Sequence, residues 1–254
     1  MNELDELREK LDGIDAELMR LYAERMETAV KIAAVKRLAL MDTVDKEREE
    51  TVVSSRMEML PERFREGGER LVRLLMDESK RVQRKGLNLY LIGMPDCGKT
   101  RMGKRLSALL GMPLCDTDKM IMNGTGETVD GIFASSGEEG FRLIETEALK
   151  AVAAHGGLIV ATGGGMPIRE ENARIMKYSG VSVFLDRALN KLHGQNTKNR
   201  PLLAAQTVEE VNANIDRLYN ERRDKYLACA RLSLDPDSEG AAERIAEFYK
   251  EILG

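Results

Sequence analysis

The spacing of apolar residues changes character at Gly86, so no single layered architecture accommodates the whole chain. From Leu4 onward, Leu7, Leu11, Ile14, Leu18 and Leu21 recur in alternating steps of three and four. That is the seam of a long helix packed in coiled-coil fashion. The seam continues through Ala29, Ile32 and Val35, but Arg25 stands on it where an apolar residue is expected. Further helices are predicted from near Asp45 and from about Glu66 to Lys85, with Gly86 as the capping glycine. Beyond it, Leu87 to Ile92, Leu158 to Ala161, Val181 to Leu185 and Leu232 to Leu234 are short apolar runs separated by amphipathic helical segments, and Pro113 to Cys115 adds a fifth. Strands alternating with helices predict right-handed crossovers and a parallel sheet covered on both faces. The chain reads as an all-α, three-helix domain over residues 1–86, then an α/β domain with a five-stranded parallel sheet over residues 87–254. No Pro/Ser/Gly-rich linker separates them.

Length and charge agree with two domains. The 254 residues exceed the usual single-domain size, and 39 basic against 43 acidic residues leave a net charge of -4 with no long single-sign block. This balance argues against a nucleic-acid or membrane-surface partner. The N-terminus is charged from the start and no apolar run approaches membrane-spanning length, so a soluble, cytoplasmic protein is expected. Cys97, Cys115 and Cys229 are an odd count without paired spacing, which suits a reducing compartment and neither a disulfide framework nor a zinc site. His155 and His193 are the only histidines.

The first run of the α/β half leads into Gly93-Met-Pro-Asp96-Cys-Gly98-Lys99-Thr100, which fits G-x-x-x-x-G-K-[ST] between a strand and the helix Arg101 to Leu110. Its glycines let backbone N–H groups turn toward phosphate oxygens, and the helix N-terminus adds favourable partial charge. Gly93, Asp96, Gly98, Lys99 and Thr100 are therefore candidate ATP ligands. Lys99 would neutralise the β and γ phosphates and the Thr100 hydroxyl would hold Mg2+.

Four further motifs follow: Asp116-Thr-Asp118, Phe141-Arg142-Leu-Ile-Glu145, Gly163-Gly164-Gly165 and Arg200-Pro201-Leu-Leu. Taken alone, Asp116 reads as a helix cap and Arg142 with Glu145 as an ordinary i, i+3 pair. In order and spacing, with the phosphate loop, they resemble shikimate kinase over essentially residues 87 to 250. The resemblance implies that Arg142 and Arg222 hold the shikimate carboxylate. It implies that Asp118 binds the hydroxyls and orients or deprotonates the attacking one, and that Asp116 reaches Mg2+ through water. Gly164 and Gly165 then present backbone N–H groups to the substrate. Arg200 would lie on a lid, roughly Ala188 to Leu203, and close on the transferring phosphate. Two departures stand out. The segment around Arg222 and Arg223 lacks the proline often found in the family, which leaves either arginine as the carboxylate ligand. The lid offers Lys191, His193 and Lys198 where many members carry a second arginine. Cys97 either packs or, if exposed, makes the loop sensitive to oxidation.

In the first half, Arg25 and Lys36 lie eleven positions apart on one helix face, about 16 Å along the axis, and Ser79 and Gln83 share a face at i, i+4. Cations on a packing face call for an anion, and a dianionic ligand fits. With Leu7-Arg8, Ala23-Glu-Arg25, Lys36, Asp45-Lys-Glu-Arg48-Glu49, Ser79 and Gln83, the segment resembles the all-helical chorismate mutases. The resemblance implies that Arg25 and Arg8 clamp the chorismate carboxylates, Arg8 from the second subunit of an intertwined homodimer. Lys36 and Gln83 would address the ether oxygen and Glu49 the ring hydroxyl, while Arg48, Asp45 and Ser79 complete the polar shell. That reaction needs no cofactor. The expected function is a bifunctional enzyme acting on shikimate and chorismate. Alternatives are a helical domain that only dimerises or binds an effector, a lyase acting on isochorismate, and a kinase for gluconate or a nucleotide.

Overall fold

The computed structural model describes residues 2–41, 46–193 and 207–253. The chain divides into two compact units, one formed by Met1–Lys36 with Asp42–Lys85, the other by Arg37–Met41 with Gly86–Gly254.

The first unit holds three helices: α1 (Glu3–Leu38), α2 (Lys46–Met57) and α3 (Glu62–Lys85). Helix α3 begins four residues earlier than its periodicity suggests. Gly67 and Gly68 weaken the helical pattern there, each at roughly 1 kcal/mol against alanine. Pro61, which suits the start of a helix, precedes the first residue. A Cβ at Gly68 would also collide with the Leu60 side chain, so this glycine admits a close approach. Only the second half of α1 is covered: Met26, Ala29 and Ala33 are buried with Val53. The seam from Leu4 to Leu21 is exposed, Leu11 at 57% and Ile14 at 49%. Ile32 and Val35, expected on the packing seam, are exposed as well, and Ile32 lines a cavity instead.

The second unit is an α/β sandwich. Its strands are β1 (Asn88–Ile92), β2 (Leu114–Asp116), β3 (Ile159–Ala161), β4 (Gly180–Leu185) and β5 (Leu232–Leu234). They form one parallel sheet of order β2-β3-β1-β4-β5. Its helices are α4 (Lys99–Leu110), α5 (Thr117–Thr125), α6 (Val129–His155), α7 (Glu170–Ser179), α8 (Val208–Cys229) and α9 (Ala241–Leu253). Strands β1 and β4 are buried along their whole length, as expected for a sheet covered on both faces. The one polar residue of β1 is fully satisfied: Asn88 donates to Val152 O at 3.1 Å and to Tyr90 Oη at 3.0 Å, and accepts from Leu158 N–H at 2.9 Å. Because the connections run to opposite sides of β1, the carboxyl end of this strand is where an open α/β sheet leaves a crevice.

Candidate active sites

The loop after β1 turns on three residues with positive φ: Gly93 at 142°, Asp96 at 60° and Gly98 at 96°. A side chain at Gly93 would come within 2.9 Å of Leu185 O, so the tight approach of loop and β4 requires glycine. Lys99 Nζ donates to Gly93 O at 3.0 Å and to Met94 O at 2.8 Å, which keeps the ammonium folded over the loop. Thr100 Oγ1 donates to Asp116 Oδ2 at 2.8 Å. Asp116 has two jobs, since its other oxygen caps α5 by accepting from Lys119 N–H at 3.3 Å. These groups line a cavity of about 210 Å³ together with Asp118, Thr162 and Gly164.

Next to it lies a second polar group built around the glycine triplet. A Cβ on Gly163 would stand 2.7 Å from Asp118 Oδ1 and 2.7 Å from Glu145 Oε1, and one on Gly165 would collide with the Arg142 guanidinium. Carboxylates crowd Gly163 and a cation crowds Gly165, while the middle glycine, Gly164, lies against Pro95, 3.0 Å from a Cβ placed there. Arg142 Nη1 donates to Glu145 Oε2 at 2.5 Å and Nη2 to Glu138 Oε1 at 2.9 Å. Burial by itself would lower the Arg142 guanidinium, but Glu145 and Glu138 hold it above its ordinary value. Glu145 is 1% exposed, and burial pushes its carboxyl up against the pull of Arg142.

Of the two adjacent arginines on α8, Arg222 is the inward one at 8% exposure, close enough to bear on both Glu145 and Tyr226. Arg223 lies toward the surface and donates to Tyr219 Oη at 3.0 Å. Tyr226, one turn beyond Arg222, donates to Gly164 O at 2.6 Å. Arg200 and lid residues 194–203 lie outside the described residues. Of the lid positions that are described, Lys191 pairs with Asp237 at 3.2 Å and His193 meets Asp216 at 2.7 Å. Cys97 is fully buried, which removes the reading of an exposed, oxidation-sensitive thiol: burial raises its pKa and disfavours the reactive thiolate.

In the helical unit, a cavity of about 310 Å³ is lined by Arg25 and Lys36 from α1, Arg48 and Glu49 from α2, and Ser79, Lys80 and Gln83 from α3. Arg25 Nη1 donates to Leu75 O at 2.5 Å and to Ser79 Oγ. It makes no ion pair among the described residues, and burial lowers its pKa. The cavity thus holds a half-buried cation without a carboxylate of its own. Gln83 Oε1 is buried and unpartnered there. Arg8 is not at this cavity. It lies on α1 seventeen positions before Arg25, about 25 Å along the axis, with its side chain 68% exposed and 3.9 Å from Asp5. Asp45 lies outside the described residues.

The sequence profile of the shikimate kinase family matches residues 95–253. The chain belongs to the shikimate kinase family. That of type II chorismate mutases matches residues 7–84, so the protein joins a chorismate mutase domain to a shikimate kinase domain. Shikimate kinase of Synechococcus elongatus is 42% identical over 175 residues, covering 66% of this chain and 89% of the relative. That of Symbiobacterium thermophilum is 33% identical over 170 residues, covering 65% and 96%. Among solved structures, shikimate kinase from Acinetobacter baumannii in complex with shikimate superposes with a TM-score of 0.60 at 30% identity, covering 68% of this chain and 97% of that one.

Motif reading left two residues of these sites unnamed and gave a third, Glu145, no role of its own. In the kinase domain Glu145 is a buried hub, and the unnamed residue is Tyr226 behind the glycine triplet. In the mutase domain it is Lys80, which pairs with Glu49 at 2.8 Å inside the cavity. Lys80 was within reach of pattern, because Met76, Ser79, Lys80 and Gln83 follow i, i+3, i+4, i+7 on one face of α3. Tyr226 also stands at i+4 from Arg222. For Glu145 the i, i+3 spacing to Arg142 was visible, but its burial was not.

Proposed function

We propose that this chain serves aromatic amino-acid biosynthesis with two separate activities. Its kinase domain transfers the γ-phosphoryl of ATP to shikimate, and its mutase domain rearranges chorismate to prephenate. The observation that carries the kinase reading is the convergence of Asp118, Arg142, Glu145 and Gly163–Gly165 beside the phosphate loop. A carboxylate-bearing, hydroxylated ring needs a fixed cation and an acceptor at the reacting hydroxyl. Arg142 and Arg222 take the shikimate carboxylate, with Glu145 fixing the Arg142 fork. Asp118 accepts the proton of the attacking hydroxyl as its oxygen bonds to the γ-phosphorus and ADP leaves. Gly93, Asp96 and Gly98 shape the loop that holds the phosphates, and Lys99 neutralises them. Mg2+, when bound, offsets phosphate charge, and Thr100 with Asp116 is an all-oxygen pair suited to it directly or through water. Arg200 closes on the transferring group from the lid.

For the mutase, Arg25 binds one carboxylate of chorismate in place of the anion it lacks. Lys36 and Gln83 face the ether oxygen, where negative charge grows as the C–O bond breaks and the C–C bond forms. Glu49, held by Lys80, takes the ring hydroxyl, and Arg48, Asp45 and Ser79 complete the shell. Arg8 is too far along α1 to serve its own cavity, and the exposed seam from Leu4 to Leu21 is the surface a second copy would cover. We therefore assign a homodimer through the helical domain, with Arg8 supplied to the partner's site. No helix among the described residues is long and apolar enough to cross a membrane, which accords with a cytoplasmic setting.

A coupled ADP-release assay across shikimate, gluconate and nucleoside monophosphates tests the kinase reading. Shikimate alone should give rapid release, and faster release with another acceptor would overturn the assignment. Gly165→Ala should displace the Arg142 guanidinium and raise the KM for shikimate about 10- to 100-fold, the scale of a lost charged hydrogen bond, with little change in the KM for ATP. Equal rises in both would argue for general damage. Light scattering at micromolar protein should return the mass of a dimer; a monomer that still turns over chorismate removes the shared role of Arg8.

A further inference from the structure

Between α7 and α8 the kinase domain holds a cavity of about 580 Å³ whose lining shares no residue with the phosphate-loop cavity. Its volume falls within the range of small-ligand pockets. The lining is chiefly apolar, with Ile168 and Ala173 among its walls, but four cations ring it: Arg174, Lys177, Lys225 and Arg231. Glu170 is the one carboxylate in that lining.

The four cations make no ion pair among the described residues, although cations on α6, on α8 and just before α7 do. Arg169 pairs with Glu139 at 2.9 Å, Arg217 with Glu221 at 2.9 Å, and Lys150 reaches across to Glu171 at 3.2 Å. Among the described residues Lys177 meets the ring of Tyr178, 5.7 Å from the centroid, and no carboxylate. Neutralisation is thus the local habit, and it stops at this cavity. Four like charges around one concavity repel one another and focus a positive potential into it. Folding gains nothing from that arrangement, whereas an anion inside would relieve it.

We infer that this cavity binds a small ring-bearing dicarboxylate. The apolar walls take the ring. One carboxylate meets Arg174 and Lys177, which share a face of α7 at i, i+3, and the other meets Lys225 and Arg231 across the groove. A phosphate or other compact anion would leave the apolar walls unfilled and engage one pair only.

The probe is isophthalate, titrated calorimetrically into the full chain with shikimate saturating. All proteins compared carry Arg25→Ala, so that neither substrate site supplies the signal. One site per chain is expected in this background. Adding Arg174→Glu with Lys177→Glu should weaken it at least tenfold, and Lys225→Glu on the opposite wall should do the same. All three side chains are exposed and stand outside the catalytic machinery, so the kinase rate without probe should stay within twofold and report an intact fold. Absence of binding at millimolar isophthalate overturns the inference. So does equal affinity in the charge-reversed proteins, or binding of inorganic phosphate as tight as that of isophthalate.

Discussion

Replacing Lys99 with alanine should lower the kinase kcat by about a thousandfold, some 4 kcal/mol of transition-state stabilisation, while chorismate turnover by the same preparation stays at the wild-type rate. Lys99 Nζ is held over the phosphate loop by Gly93 O and Met94 O, and it is the ammonium closest in sequence to the positive-φ turns that shape the loop. Its charge is useful only where phosphate charge redistributes, so the loss should fall on kcat. The KM for shikimate should move little, because Arg142 and Glu145 form a separate, mutually bonded pair. Initial rates of ADP release at saturating ATP and shikimate measure the effect. A drop of less than tenfold would mean that another group carries the phosphate charge.

The second large effect concerns the helical domain. Arg25→Ala should reduce chorismate mutase activity about 100- to 1000-fold and leave the kinase untouched. Stability provides the control. Arg25 is a half-buried cation whose hydrogen-bond partners among the described residues are Leu75 O and Ser79 Oγ, and Ser79 Oγ bonds Leu75 O at 2.9 Å in any case. Removing the arginine strands no carboxylate and relieves an uncompensated charge, so the melting temperature should hold or rise. A residue kept for packing would behave in the opposite way, with a clear loss of stability and a modest loss of rate. Circular dichroism melts alongside chorismate depletion separate the two.

Both domains were legible from residues because each carries a period that one structure satisfies. The steps of three and four from Leu4 to Leu21 admit only a helix, and the phosphate-loop pattern specifies a strand before it and a helix after it, which β1 and α4 provide. Polar residues were legible where they interrupt such a period, as Arg25 does on the seam. Environment was not legible. Asp116 read as a helix cap when taken alone, but its bond to Thr100 was not visible in the sequence: one carboxylate has two oxygens, and one caps α5 while the other accepts from Thr100. Arg142 and Glu145 fit a surface pair by spacing alone, and only the fold buries them against Gly163 and Gly165. The start of α3 was misplaced because Gly67 and Gly68 lower local helix propensity, while the helix runs through them and Gly68 admits the close approach of Leu60 and Met57. The choice between Arg222 and Arg223 needed the rotation of α8, which turns one inward and the other toward Tyr219.

The central claim is that one chain carries two independent sites. The most direct measurement is the time course of chorismate absorbance with Lys99→Ala protein, whose kinase is disabled. Depletion at the wild-type rate, abolished by adding Arg25→Ala, is the expected result. Depletion no faster than the uncatalysed background, from a protein that is folded and dimeric, would contradict it and leave the helical domain without catalysis.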